Sequence, residues 1–198
     1  MVAVVDYDTG NLRSVTNALK RLGAEYVVTS DHKTILSAAK VLLPGVGEAS
    51  SAMAKLRERG LDTLIKSLDM PVLGICIGMQ LMCESSEEGD AACLGIFPTK
   101  VVRLPKSDSQ GNLVKVPHVG WNTIEGLSSG LFKGVEESSH LYFVHSFAAV
   151  KCDCTIATTS YAMDFSAALC KDNFYGTQFH PEKSGSVGET VIKNFLEL

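Results

Sequence analysis

The run Pro71-Val72-Leu73-Gly74-Ile75-Cys76-Ile77-Gly78-Met79-Gln80 constrains the fold of this chain more tightly than any other stretch. The apolar residues at 71–75 read as a buried strand. Ile77, Met79, Leu81 and Met82 begin a helix-like run directly after it. Between the two stands one cysteine with a glycine two positions away on each side. A strand that turns sharply into a helix around one reactive residue is the setting of a nucleophile elbow, and glycines permit the tight turn. In a parallel sheet the thiol would project at the C-terminal edge, where open α/β folds bind ligands. The positive end of the following helix would favour negative charge on the sulfur. Taken alone, the pattern leaves two readings open, because free cysteine is also among the most buried residue types.

The rest of the first half supplies the sheet. Short apolar strands are predicted at 2–5, 26–29, 40–43 and 71–75. Between the first two, Leu12, Val15, Ala18, Leu19 and Leu22 recur at helical spacing, with Asn11 placed to cap and Gly23 to stop. Asp31 can cap a short helix through Ile35 and Leu36, and residues 48–68 are helical in character with a break at Gly60. Strands alternating with helices argue for a parallel sheet covered on both faces. From about Gly95 the texture changes. Strand-like runs at 100–104, 113–116, 121–124, 141–147, 155–159, 165–170 and 175–179 follow with few helices between them, so antiparallel hairpins are expected. The chain closes in a helix with a capping box at Ser186–Glu189 and an apolar face of Val191, Ile192, Phe195 and Leu196. A single α/β domain over 1–198, mostly parallel first and β-rich later, is the economical reading.

Composition excludes several partners. The formal net charge is -4, with no basic run, which gives no support for nucleic acid. No apolar stretch approaches the roughly 18–20 residues that span a bilayer. The N-terminus, with Asp6 close behind it, has no basic segment or cleavage site of a leader. Six cysteines in a long, core-rich chain without a leader are expected to be reduced thiols in the cytoplasm. Cys152-Asp153-Cys154 has the wrong spacing for zinc, so no metal site is expected, and that pair reads as surface thiols.

A nucleophilic thiol needs a base, and the base an orienting group. Of the histidines at 32, 118, 140, 145 and 180, only His180 has an acid two residues away at the end of an apolar strand, in Phe179-His180-Pro181-Glu182. The proline restrains the backbone, so Glu182 can accept from one ring nitrogen while the other faces Cys76. His118, His140 and His145 read as structural or peripheral. Acyl chemistry also needs donors where negative charge develops. The N–H of Ile77 is one. Pro44-Gly45-Val46-Gly47, a glycine-rich turn after the third strand, can supply the second. A phosphate-binding loop would need a lysine and Ser/Thr after Gly47, where Glu48-Ala49-Ser50 stands.

Three motifs in this order, Pro44–Gly47, Gly74–Gln80 and Gln178–Glu182, resemble the class I (triad) glutamine amidotransferases. That resemblance implies a flavodoxin-like fold: a central, mostly parallel sheet with helices on both faces and an antiparallel β-rich second half. Within the family, "DYDTGNLRSV", "LPGVG", "SSEEG", "KVPHVGWN", "YFVHSF" and "QFHPEKSG" are similar to the glutaminase subunits of imidazole glycerol phosphate synthase. Ile77 stands where leucine is usual and Ala162 where glycine is typical. By resemblance Cys76 is the nucleophile, His180 its acid and base, and Glu182 the orienter, with Val46, Gly47 and Ile77 around the oxyanion. Gln80 and Glu88 would hold the α-amino end of glutamine, and Ser146 and Phe147 its carboxylate. No cofactor is implied. Ammonia would pass to a (β/α)₈-barrel cyclase subunit in a heterodimer, docked over Asn11, Trp121, Asn122 and Lys183. An exposed Trp121 would favour that interface over a core tryptophan. The rival readings are a glutaminase of the same class with another partner, a non-catalytic interaction subunit, and a cysteine hydrolase or protease on a related fold.

Overall fold

The computed structural model describes residues 1–8 and 11–198; Thr9 and Gly10 of the "DYDTGNLRSV" motif lie outside the described residues. The first half runs β1 (Val2–Val5), α1 (Leu12–Arg21), β2 (Tyr26–Thr29), α2 (His32–Leu36), β3 (Lys40–Gly45), α3 (Ala49–Glu58), α4 (Leu61–Lys66) and β4 (Val72–Cys76). This is the predicted order. Asp31 caps α2 by accepting from the Thr34 N–H at 2.8 Å. Gly60, at φ +65°, separates α3 from α4.

The second half runs α5 (Ile77–Leu81), β5 (Ser85–Ser86), β6 (Ala91–Ala92), β7 (Lys100–Arg103), β8 (His118–Thr123), β9 (His140–His145), β10 (Phe147–Ala149), β11 (Thr155–Tyr161), β12 (Met163–Lys171), β13 (Phe174–Thr177) and α6 (Gly185–Glu197). Short 3₁₀ turns lie at Gly130–Phe132 and Pro181–Lys183. Among the described residues the main sheet has the order β11-β12-β13-β4-β3-β1-β2. It is parallel from β2 to β13 and antiparallel across β13, β12 and β11. β1 and β4 are buried at every position, as expected of strands covered on both faces. β10-β7-β5-β6 and β8-β9 form two smaller sheets.

Several local expectations are corrected. Residues 113–116 form no strand: Leu113 is 92% exposed and its one ladder contact is a bridge to Ser107. The predicted strand at 141–147 breaks at Ser146, so β9 pairs with β8 while β10 pairs with β7. Cys152 and Cys154 are half-buried rather than surface thiols. The capping box does not form. α6 starts at Gly185 behind Ser184, whose hydroxyl is taken by the Tyr142 N–H and the His180 carbonyl, and Glu189 pairs with Arg21 at 2.6 Å instead. Asn11 sits at the N-terminus of α1 in the left-handed region, but its side chain caps nothing.

Packing explains the glycines of the elbow. A Cβ on Gly74 would come within 2.6 Å of the Gly78 backbone, and one on Gly78 would collide with the Leu43 carbonyl of β3. Gly78→Ala is expected to lower the unfolding free energy by about 3 kcal/mol or more, because backbone must move. The opposite change helps at Ala162, which turns between β11 and β12 at φ +60°. Ala162→Gly is expected to add about 0.5–1 kcal/mol. Denaturant titrations of both variants check the pair.

Candidate active site

β4 delivers Cys76 to the edge of the sheet, where its backbone takes φ +54° and ψ -109° as the residue capping α5. An L-residue rarely adopts that conformation, and its strain is held by the close packing of Gly74 and Gly78. On one side β3 pairs with β4, setting Gly45 opposite Cys76. On the other, β13 runs parallel to β4 with Thr177 opposite Ile75. The chain leaving β13 therefore passes the cysteine at Gln178–His180. The His180 backbone N–H is anchored to the Tyr142 carbonyl at 2.8 Å.

His180 is fully buried, and its Nδ1–H donates to Glu182 Oε1 at 2.8 Å. Its other nitrogen, Nε2, is buried beside Cys76 and has no well-aligned hydrogen-bond partner among the described residues. Burial pulls its pKa down, but the pull of Cys76 and Glu182, through hydrogen bonding and negative charge, outweighs it and pushes the value up to about 9. Among the described residues no cluster of His, Cys, Asp or Glu is arranged to hold a metal ion.

A cavity of about 280 Å³ opens in front of the sulfur, near the small end of ligand pockets and suited to a molecule of amino-acid size. Its walls include Val46, Gly47, Ile77, Gln80, Glu88, Ser146, Phe147, His180 and Lys183. The predicted oxyanion and substrate residues thus meet at one site. Gly47 takes φ +105°, a conformation that favours glycine. Glu88 is not a solvated member of an acidic run. Its carboxylate accepts from the Ala49 N–H at 3.0 Å, at the start of α3, and its pKa is raised by burial despite that bond. Gln80 keeps one buried acceptor, Oε1, without a partner among the described residues.

The predicted docking residues divide. Trp121 is 55% exposed and lies edge-on to Tyr142, and Lys183 is exposed at the pocket rim. Asn122 donates to the Ser160 carbonyl at 3.0 Å. The Asn11 side chain instead reaches inward and donates to Glu182 Oε1 at 2.5 Å, sharing the carboxylate oxygen that holds His180. The sequence reading gave it a cap and a docking role and missed this bond, since the partner lies 171 positions away.

Two other contributors escaped the sequence reading. His145 lines the cavity, and its Nε2 meets His118 Nδ1 at 3.0 Å. Burial lowers both histidines, to about 3 for His145 and about 4 for His118, so they stay neutral. Gln178 Nε2 donates to Cys76 Sγ at 3.7 Å. Its place two residues before His180, in a run that reads as a strand through 179, was the available signal, because alternate strand residues share a face.

A strained cysteine elbow, a buried His-Glu pair and a glycine turn thus meet at one edge of a parallel sheet. The chain matches the family Glutamine amidotransferase class-I over residues 3–198 and belongs to it. Among its relatives is the imidazole glycerol phosphate synthase subunit HisH of Bacteroides fragilis, 58% identical and aligned over 100% of this chain and 99% of that one. The subunit of the same name from Bacteroides thetaiotaomicron is 57% identical, with the same coverage. Two solved structures share the fold. A glutamine amidotransferase superposes with a TM-score of 0.75 at 19% identity over 100% of this chain and 98% of its own. A chain of PurLQS from Thermotoga maritima gives 0.68 at 20% identity over 99% and 97%.

Asn11→Ala is expected to lower the turnover number about tenfold with little change in KM, because a charge-assisted hydrogen bond worth roughly 1.5–3 kcal/mol no longer fixes Glu182. Steady-state kinetics with glutamine as substrate check this.

Proposed function

We propose that this chain is the glutaminase subunit of an imidazole glycerol phosphate synthase. It hydrolyses glutamine to glutamate and ammonia. The ammonia passes to a (β/α)₈-barrel cyclase subunit that makes imidazole glycerol phosphate and aminoimidazole carboxamide ribotide in histidine biosynthesis. The observation that carries the chemistry is the buried His180–Glu182 pair facing Cys76 at the strained elbow. The near full-length likeness to the Bacteroides subunits supports the pathway. The cytoplasm suits six unpaired thiols, and no helix is long and apolar enough to cross a membrane among the described residues.

The geometry supports the following steps. Cys76 Sγ attacks the side-chain amide carbon of glutamine, and the Ile77 N–H with the Val46–Gly47 turn faces the developing oxyanion. His180, protonated at neutral pH, gives the Nε2 proton to the departing nitrogen; the C–N bond breaks and ammonia leaves a thioester on Cys76. Neutral His180 then takes a proton from water. The resulting hydroxide attacks the thioester, the C–S bond breaks, and glutamate leaves with the Cys76–His180 pair restored. Glu182 keeps the ring aligned throughout. The orphan Gln80 Oε1 and the Glu88 carboxylate are suited to an α-ammonium group. Ser146 and Phe147, at the break between β9 and β10, are suited to the carboxylate.

Exposed Trp121 and Val119 project from one face of β8 and support a docking surface there, with Lys183 at the pocket rim. A subunit touching Asn11 would reach the triad carboxylate through one hydrogen bond.

Glutamate release, measured with and without the cyclase and its nucleotide ligand, is expected to be weak alone and strongly stimulated by the complex, and abolished by Cys76→Ala. Turnover that survives Cys76→Ala would overturn the reading. Trp121→Ala is expected to weaken association by about 2 kcal/mol or more, as for an aromatic anchor, read by titration calorimetry. The first step needs His180 as imidazolium. Its pKa is raised, so the form is present at neutral pH and lost as pH rises through about 9. The rate of thioester formation should therefore fall above that pH.

A further inference from the structure

We propose that Gln178 is a positioning residue of the reaction, presenting an N–H to the Cys76 sulfur in an orientation dictated by the Phe147 carbonyl through Gln80. The proposal rests on the glutaminase reading for its kinetics but not for its chemistry at sulfur. Three contacts carry it. Gln80 Nε2 donates to the Phe147 carbonyl at 2.9 Å and to Gln178 Oε1 at 2.9 Å, and Gln178 Nε2 donates to Sγ at 3.7 Å. Both glutamines are buried, Gln178 completely.

An amide has two ends, and in isolation either can face a neighbour. Here the direction is forced. A backbone carbonyl only accepts, so Gln80 must turn its NH₂ toward Phe147. That NH₂ has a second hydrogen, which meets Gln178 and requires an oxygen there. Gln178 is then left with its own NH₂ toward the sulfur. Reversing Gln178 alone would set two NH₂ groups against each other, and reversing both would set the Gln80 oxygen against the Phe147 oxygen. The carbonyl is itself fixed from the other side, because His145 Nδ1–H donates to it at 2.8 Å. Its two lone pairs are thus filled by one donor each.

The consequence falls on Cys76. A thiol proton can point to the Val144 carbonyl, 3.9 Å from Sγ. Once that proton is lost, Val144 offers the sulfur nothing, while the Gln178 N–H offers a charge-assisted bond. The amide therefore favours the nucleophilic form and holds it at the mouth of the cavity. Gln178 does not touch the reacting carbon and acts only through Cys76.

The test uses the full chain and two substitutions. Gln178→Met keeps length and loses both polar ends. Gln178→Glu keeps the oxygen that meets Gln80 and replaces the donor at sulfur by a second oxygen. Alkylation of Cys76 by iodoacetamide at pH 7, followed by mass spectrometry, reads the sulfur without assuming any substrate. Both variants are expected to slow it about 10-fold or more, the range for losing a hydrogen bond to a charged group. With the cyclase present, the turnover number should fall at least as far while KM changes less than about threefold, since no contact to bound glutamine is lost. Gln178→Glu preserves the link to Gln80, so a purely structural role would leave alkylation in that variant near the parent rate. Alkylation within twofold of the parent in either folded variant overturns the proposal. If neither folds, Gln80→Leu decides: it frees Gln178 to turn its oxygen to the sulfur and should slow alkylation, and an unchanged rate overturns the proposal. Slowed alkylation in the variants, together with a parent chain that does not hydrolyse glutamine even with the cyclase, would sink the glutaminase reading and leave the role of Gln178 standing.

Discussion

The site depends on the parallel pairing of β4 with β13. Gly176 lies opposite Gly74 and Thr177 opposite Ile75, so the residues that follow each strand emerge side by side. Neither glycine is incidental. A Cβ on Gly176 would come within 2.9 Å of the Met79 Cβ and closer to its Cγ, so α5 could not sit as near the sheet. That close approach holds the Cys76 backbone in its strained conformation beside His180. Strain of roughly 1–3 kcal/mol at such a residue persists only where the surroundings over-determine it. Here β3, β13 and α5 do so together.

Around that pairing the structure uses buried polar groups with unusual economy. Glu182 Oε1 receives both His180 and Asn11. The Phe147 carbonyl receives both His145 and Gln80. Each acceptor therefore sets the direction of two donors, and the direction propagates because a misdirected amide in a low-dielectric interior costs more than it would in water. The two buried histidines follow the same logic. With Nδ1 of His145 committed as a donor, its Nε2 must accept, and His118 Nδ1 must supply the hydrogen. Stacking of His118 on Tyr161, with ring centroids 3.9 Å apart, keeps that ring in place.

Much of this was legible in the linear order. Short apolar runs alternating with helical spacing announced the parallel half, and Gly60 broke the helix where expected. Cys76 was legible because strand, turn and helix are contiguous, and His180 with Glu182 because both partners lie within one short segment. What stayed hidden has a common cause. Asn11 meets a partner 171 positions away, and the capping chemistry near it gives no sign of that; Gln178 meets one 102 positions away, hinted at only by its spacing from His180. Glu88 was named by resemblance alone; it stands in a run of acids whose usual fate is solvation, and its bond to the start of α3 had no local signal. Ser85–Ser86 and Ala91–Ala92 carry no apolar alternation, so β5 and β6 had no signal at all.

Local sequence by itself placed the parts: the elbow, the His180–Glu182 pair and the glycine turn each need only neighbouring residues, and their order along the chain carries the resemblance to the amidotransferases. Tertiary structure decided how those parts act on one another. It sent Asn11 inward to the Glu182 carboxylate, placed Trp121 in solvent, and chose which end of the Gln178 amide meets the Cys76 sulfur. Those choices depend on which distant groups share a buried space and on the need of every buried donor to find an acceptor there, and no stretch of sequence contains both partners.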